Sequence, residues 1–128
     1  MQVRNLRWVG SATSEYEGMV SFLRDVLGLR TNLEETTTTE FTTSEGDRIQ
    51  VMGPGDPYHA FFTENASGPV PLFEVDDVRE ALSELEAAGV EVIGSVERDT
   101  EWEWIHCRAP DGNLYELASR REALRPQS

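Results

Sequence analysis

An α+β fold of two tandem βαβββ modules is predicted by three features of the sequence. There are two capped amphipathic segments, a glycine directly after each, and in each half a Gly-containing turn that leads into an alternating strand. The first segment opens at Ser14-Glu15-Tyr16-Glu17, which has the form of a capping box: Ser14 can accept from a free backbone N–H while Glu17 reaches back. Tyr16, Met19, Val20, Leu23, Val26 and Leu27 then recur at three- and four-residue spacing, so a helix with one apolar face is expected over about 15–28. Gly28 is free to take the left-handed conformation that ends it. The second half repeats this grammar. Asp77-Val78-Arg79-Glu80 caps, Ala81, Leu82, Leu85 and Ala88 form the face, and Gly89 closes a helix over about 78–89.

Strand patterns surround each helix. The first module is expected to use strands near 3–11, 30–36, 38–44 and 47–53, and the second strands near 70–76, 90–97, 101–109 and 113–119. Ser44-Glu45-Gly46-Asp47-Arg48-Ile49-Gln50-Val51 aligns with Pro110-Asp111-Gly112-Asn113-Leu114-Tyr115-Glu116-Leu117, each a turn into a strand. The pairs Ser14 and Asp77, Gly28 and Gly89, and Gly46 and Gly112 stand at nearly the same separation, as a duplicated unit requires. One domain over 1–128 is therefore expected, with module one at about 1–56, a linker at about 57–69, module two at about 70–119 and a polar tail at 120–128. Within the linker, Tyr58-His59-Ala60-Phe61-Phe62 reads as an added strand or a packed connection between turn-rich flanks.

Composition narrows the function. A formal net charge of -13 argues against nucleic acid, because phosphate binding needs clustered cations. No stretch approaches the roughly 20 consecutive apolar residues of a membrane span, and the first residues lack the apolar run of a signal peptide. With its single cysteine, Cys107, the chain can form no internal disulfide, which suits the reducing cytoplasm, the expected location.

Three phrases in order carry a family resemblance: Phe22-Leu23-Arg24-Asp25-Val26-Leu27-Gly28-Leu29, Phe73-Glu74-Val75-Asp76-Asp77-Val78, and Ala109-Pro110-Asp111-Gly112-Asn113-Leu114-Tyr115-Glu116-Leu117. Over nearly its whole length the chain resembles the vicinal-oxygen-chelate superfamily of glyoxalases, bleomycin-resistance proteins and dioxygenases. The resemblance implies curved mixed sheets around a cavity, with the helices outside and function on inward-facing strand positions. In metal-dependent members, side chains from the first and last strands of both modules hold a divalent ion. Carried over, those positions are Trp8, Gln50, Val70 and Glu116. Indole and isopropyl groups have no lone pair to donate, so no metal and no other cofactor is expected.

Alternation from Glu101 to Ala109 sends Trp102, Trp104, His106 and Arg108 to one face and Ile105 and Cys107 to the other. If the apolar pair faces the helix, the tryptophans, His106 and Arg108 line the cavity with Glu116 and Leu114, joined by Leu6, Trp8, Phe41, Met52 and Leu72. The expected ligand contacts are thus Trp8, Gln50, Val70, Trp102, Trp104, His106, Arg108 and Glu116. Each has a plain structural reading: cross-strand packing or a dimer seam for the tryptophans, a carboxylate satisfied by Gln50 or Arg48 for Glu116, and structural or exposed histidines, with no evident partner at the family's ligand positions, for His59 and His106. Cys107 reads as a small buried hydrophobe, and Thr36-Thr37-Thr38-Thr39 as strand-forming surface. Two functions compete. One is a metal-free protein that sequesters or senses an aromatic or cationic small molecule, as bleomycin-resistance proteins do. The other is a lyase, isomerase or dioxygenase-like enzyme that uses a metal, or Glu116 or His106 as general base. The resemblance also implies a homodimer.

Overall fold

The computed structural model describes residues 1–121, so all but the first two residues of the expected tail lie outside the described residues. The chain has a mixed α+β fold that divides into two compact units, Arg7–Val70 and a second made of Met1–Leu6 with the chain from Pro71 onward. Among the described residues, no helix is long and apolar enough to cross a membrane.

In the unit Arg7–Val70, most of β1 (Val3–Ala12) is followed by α1 (Tyr16–Ser21), β2 (Arg30–Glu34), β3 (Thr38–Thr42), β4 (Arg48–Met52) and α2 (His59–Asn65). The strands lie in the order β2-β3-β4-β1; β1 and β4 are parallel, the other two pairs antiparallel. Val20 and Leu23 from the helical segment meet Phe41 and Val51 from the sheet in a buried core. Phe41, expected in a cavity, belongs to this core and is fully buried. Tyr16 closes the edge of the core: its hydroxyl lies 2.7 Å from Thr39 Oγ1 and donates to the Glu35 carbonyl at 3.1 Å. Its ring occupies the space that a Cβ on Gly53 would need.

Three expectations for this unit are corrected. The first helix is α-helical only to Ser21 and continues as a π-helical turn over Phe22–Val26, closed by the Leu27 N–H on the Phe22 carbonyl at 3.0 Å. The wider turn delays the phase of the side chains. Val26 and Leu27, assigned to the apolar face, are consequently 72% and 54% exposed. Ser14 does not cap; Thr13 Oγ1 accepts the Glu15 N–H at 2.9 Å, and the helix has no side-chain cap. Thr38 and Thr39 are buried and not surface, because their hydroxyls find partners in Val51 O and Tyr16 Oη.

The expected linker holds a helix, α2. Asp56 Oδ1 accepts the Tyr58 N–H at 2.9 Å and starts the turn. Phe62 then buries itself edge-on against Trp8, with ring centroids 6.2 Å apart. That aromatic contact overrides the β-preference of Tyr and Phe that suggested a strand.

The second unit holds β5 (Val70–Val75) from Pro71 on, α3 (Val78–Ala87), β6 (Val92–Arg98), β7 (Trp102–Arg108) and β8 (Leu114–Arg120). Its strands run β5-β8-β7-β6, with β5 and β8 parallel, so it repeats the topology of the first unit. Asp77 caps α3 as expected, accepting from the N–H groups of Arg79 and Glu80, and Ser119 Oγ accepts the Val78 N–H at 2.9 Å. Val78 and Ala81 on α3 pack on Val75, Ile105 and Leu117. The chain start is tied to the same unit by Arg4 to Asp76 at 2.9 Å and by Asn5 Nδ2 donating to Glu74 at 3.0 Å. The terminating glycines Gly28 and Gly89 both have positive φ, as do Gly46 and Gly112 in the turns.

Candidate functional site

The chemistry of the second unit lies on the sheet face away from α3. Ile105 and Leu117 point at the helix, so strand alternation turns Trp102, Trp104, His106 and Arg108 of β7, and Leu114, Glu116 and Ala118 of β8, to the other side. The antiparallel register sets His106 directly opposite Glu116 and Trp104 opposite Ala118, while parallel pairing brings Leu72 alongside Glu116 and Glu74 alongside Ala118.

His106 and Glu116 form a buried pair. The imidazole is 1% exposed, and its Nε2 lies 2.8 Å from Glu116 Oε1. With its proton on Nε2, the ring donates to the carboxylate. The opposite nitrogen, Nδ1, faces Glu97 Oε2 at 3.3 Å, a contact that becomes attractive when the ring carries both protons. Glu116, for which Gln50 or Arg48 is the expected partner, and His106, expected to have no evident partner at the family's ligand positions, are corrected together. His106 is the partner of Glu116, while Arg48 ion-pairs with Glu40 at 2.8 Å.

Glu97 is the residue that sequence reasoning missed. Between the pairs Ile93 with His106 and Glu97 with Trp104, three residues of β6 face a single residue of β7, a bulge that re-aims the end of the strand. In regular pairing Ser95 would stand opposite Trp104; the bulge puts Glu97 there. The signal was Gly94, a glycine inside a strand pattern, which takes φ 79°.

Around the pair, Trp104 is half-buried. Trp102 is already engaged, since the Arg120 guanidinium stacks 4.9 Å above its ring. Arg108 does not contribute a cationic head to the face: its Nε binds Glu91 at 2.7 Å and its Nη1 donates to the Gly112 carbonyl at 3.1 Å, which ties down the turn. Cys107 is buried on the helix side, and burial pushes its thiol pKa up, as befits a small hydrophobe.

In the first unit, Trp8 and Gln50 come together in a different way. Trp8 Nε1 donates to Gln50 Oε1 at 3.1 Å, Gln50 Nε2 donates to Thr38 Oγ1 at 2.7 Å, and Thr38 donates on to the Val51 carbonyl at 3.2 Å. The indole lies flat along β1; a Cβ on Gly10 would stand 1.9 Å from its Cη2 atom. Val70 is fully buried. Of the four positions that resemble a metal-ligand set, two have no lone pair to donate. Gln50 Oε1 accepts from Trp8 Nε1, and Glu116 Oε1 lies 2.8 Å from His106 Nε2. Among the described residues, no group of three or more His, Cys, Asp or Glu side chains could hold a metal ion.

The family model of the glyoxalase/bleomycin resistance protein/dioxygenase superfamily matches residues 5–117. No curated protein sequence matches the chain. Among solved structures, a member of that superfamily from Vibrio splendidus 12B01 has a TM-score of 0.68 at 18% identity over 91% of this chain and 100% of its own. Methylmalonyl-CoA epimerase from Mycobacterium tuberculosis gives 0.69 at 23% identity, over 95% and 91%. A Mn(II)-bound glyoxalase from Novosphingobium aromaticivorans gives 0.68 at 22% identity, covering 98% of this chain and 42% of that one. With a family model spanning most of its length and the doubled strand-helix-strand topology that such structures share, the chain belongs to the glyoxalase/bleomycin resistance protein/dioxygenase superfamily.

Proposed function

We propose that this chain is a metal-free small-molecule-binding protein of the glyoxalase/bleomycin-resistance type, which sequesters or senses an aromatic cation. The observation that carries the reading is the buried His106–Glu116 pair at 2.8 Å. It engages one oxygen of the last strand's carboxylate with an imidazole and supports a face lined for contact. Trp104 supplies a partly open indole plane, and Glu74, Glu97 and Glu116 supply negative charge on the same side of the sheet. Aromatic planes and carboxylates together favour a flat cation, through stacking, cation–π attraction and ion pairing. The wider acidic field steers such ligands toward the protein. In this reading the protein works in the cytoplasm as a homodimer without nucleic-acid or membrane partners, and a molar mass from light scattering reads out the dimer.

Titration with two bicyclic probes of matched size tests the assignment, with tryptophan fluorescence as the signal. N-methylquinolinium should quench saturably, and naphthalene-2-sulfonate should not. Glu97→Gln should weaken the cation at least about fivefold, since a rim charge contact contributes on the order of 1 kcal/mol. Equal binding of both probes refutes the reading.

One observation favours a second reading as an enzyme. A buried imidazole hydrogen-bonded to one carboxylate and facing another has the parts of a proton-transfer device, with Glu116 or His106 as general base. Incorporation of deuterium from heavy water into a 1,3-dicarbonyl carbon acid, abolished in Glu116→Gln, supports it. Exchange at the uncatalysed rate removes it.

A further inference from the structure

From the α3 side of the same sheet, on the opposite face from Trp104 and His106, the geometry points to a second ligand site, for an aliphatic monocarboxylate. A groove of about 690 Å³ runs between α3 and the edge strand β6. Its floor is apolar: Leu82, Val90, Val92 and Val96 line it, and Leu82 and Val96 continue into the buried cluster beneath. Two arginines and one carboxylate stand on its rim, Arg79, Arg98 and Glu86.

Their pairing selects the charge of the occupant. Arg79 is tethered through Nε to the buried carboxylate of Glu103 at 3.2 Å, so its charge is already matched. Arg98 is exposed and forms no ion pair among the described residues; Glu103, opposite it in the ladder, is taken by Arg79. One unmatched guanidinium beside an apolar floor fits a single carboxylate with a hydrocarbon body. The planar fork binds both carboxylate oxygens, and the chain covers the valines. Glu86 and the overall charge of -13 count against doubly charged anions such as phosphate esters.

The bulge in β6 opens the groove. Gly94, Ser95 and Val96 face only Ile105 across the ladder, and around Gly94 the space that a Cβ would enter holds no atom within 4 Å. The site stays free of bulk where the chain bends, and a residue with φ 79° keeps it so.

Amide chemical shifts of the ¹⁵N-labelled chain, followed during titration with octanoate, octanol and octylammonium, test this. Octanoate should shift amides in 79–98 saturably, with octanol and octylammonium at least tenfold weaker. Arg98→Gln and Ser95→Glu should each weaken octanoate at least fivefold while leaving N-methylquinolinium quenching unchanged. The site is overturned if octanoate shifts fall on 102–108 and 114–120 without 79–98, if octanol matches octanoate, or if neither substitution affects it.

Discussion

Replacing His106 by leucine isolates the interaction on which the site rests. The substitution keeps an apolar side chain in a space that is 1% exposed but removes the donor 2.8 Å from Glu116, whose side chain is 8% exposed. Removing the partner of a buried carboxylate typically costs about 3–5 kcal/mol, because the carboxylate then remains alone in a poorly solvated place. That is a large fraction of the roughly 5–15 kcal/mol by which domains are stable. Glu116→Met should cost less, about 1–3 kcal/mol, because it leaves an imidazole and not a buried carboxylate without its hydrogen-bond partner. The double variant, which removes both polar partners and keeps the volume, should lie within about 1–2 kcal/mol of the parent, since well-packed apolar pairs often replace buried polar pairs without loss. The cycle therefore predicts a coupling of at least about 2 kcal/mol, read from urea unfolding at pH 7 with unchanged m-values. If the two single losses simply add in the double variant, or if His106→Leu costs under about 1 kcal/mol, the pair is not the buried, mutually dependent unit described.

Other expectations follow from single contacts. Trp8→Phe leaves Gln50 Oε1 without its 3.1 Å donor and should destabilise by about 1–2 kcal/mol in the same unfolding assay; no change means that the oxygen has another partner. Gly10→Ala drives a Cβ to 1.9 Å from the Trp8 ring, so the indole must move, at about 1–3 kcal/mol and with a shifted emission maximum; unchanged emission contradicts the placement. Asp77→Ala removes the acceptor for two N–H groups at the start of α3 and should cost about 1 kcal/mol in thermal unfolding. Because burial raises the Cys107 thiol pKa, Ellman's reagent at pH 8 should react slowly with the native chain and rapidly in denaturant; equal rates contradict its burial.

The duplicated topology was legible because apolar periodicity and terminating glycines are local signals present in both halves, although only Asp77, and not Ser14, caps its helix. Ile105 facing the helix and His106 facing away followed from alternation alone. What escaped depended on contacts between distant segments. The α2 helix forms because Phe62 finds Trp8, a contact no local preference at Tyr58-His59-Ala60-Phe61-Phe62 announces. Thr38 and Thr39 read as surface because threonine is polar, yet Gln50 and Tyr16 satisfy their hydroxyls from other elements. The partner of Glu116 was misassigned although His106 stands directly across the ladder; the alternation argument placed both on one face but fixed no register between the strands. Glu97 needed the bulge length as well, and glycine in a strand marks a bulge without giving its size.

Metal binding and ligand binding measured on one preparation bear most directly on the proposed role. After treatment with EDTA, calorimetric titration with Mn²⁺, Ni²⁺ and Zn²⁺ should give no stoichiometric uptake, and N-methylquinolinium should quench tryptophan emission equally before and after the treatment. One tightly held metal ion per chain, lost in Gln50→Ala or Glu116→Ala together with the quenching, would contradict the account.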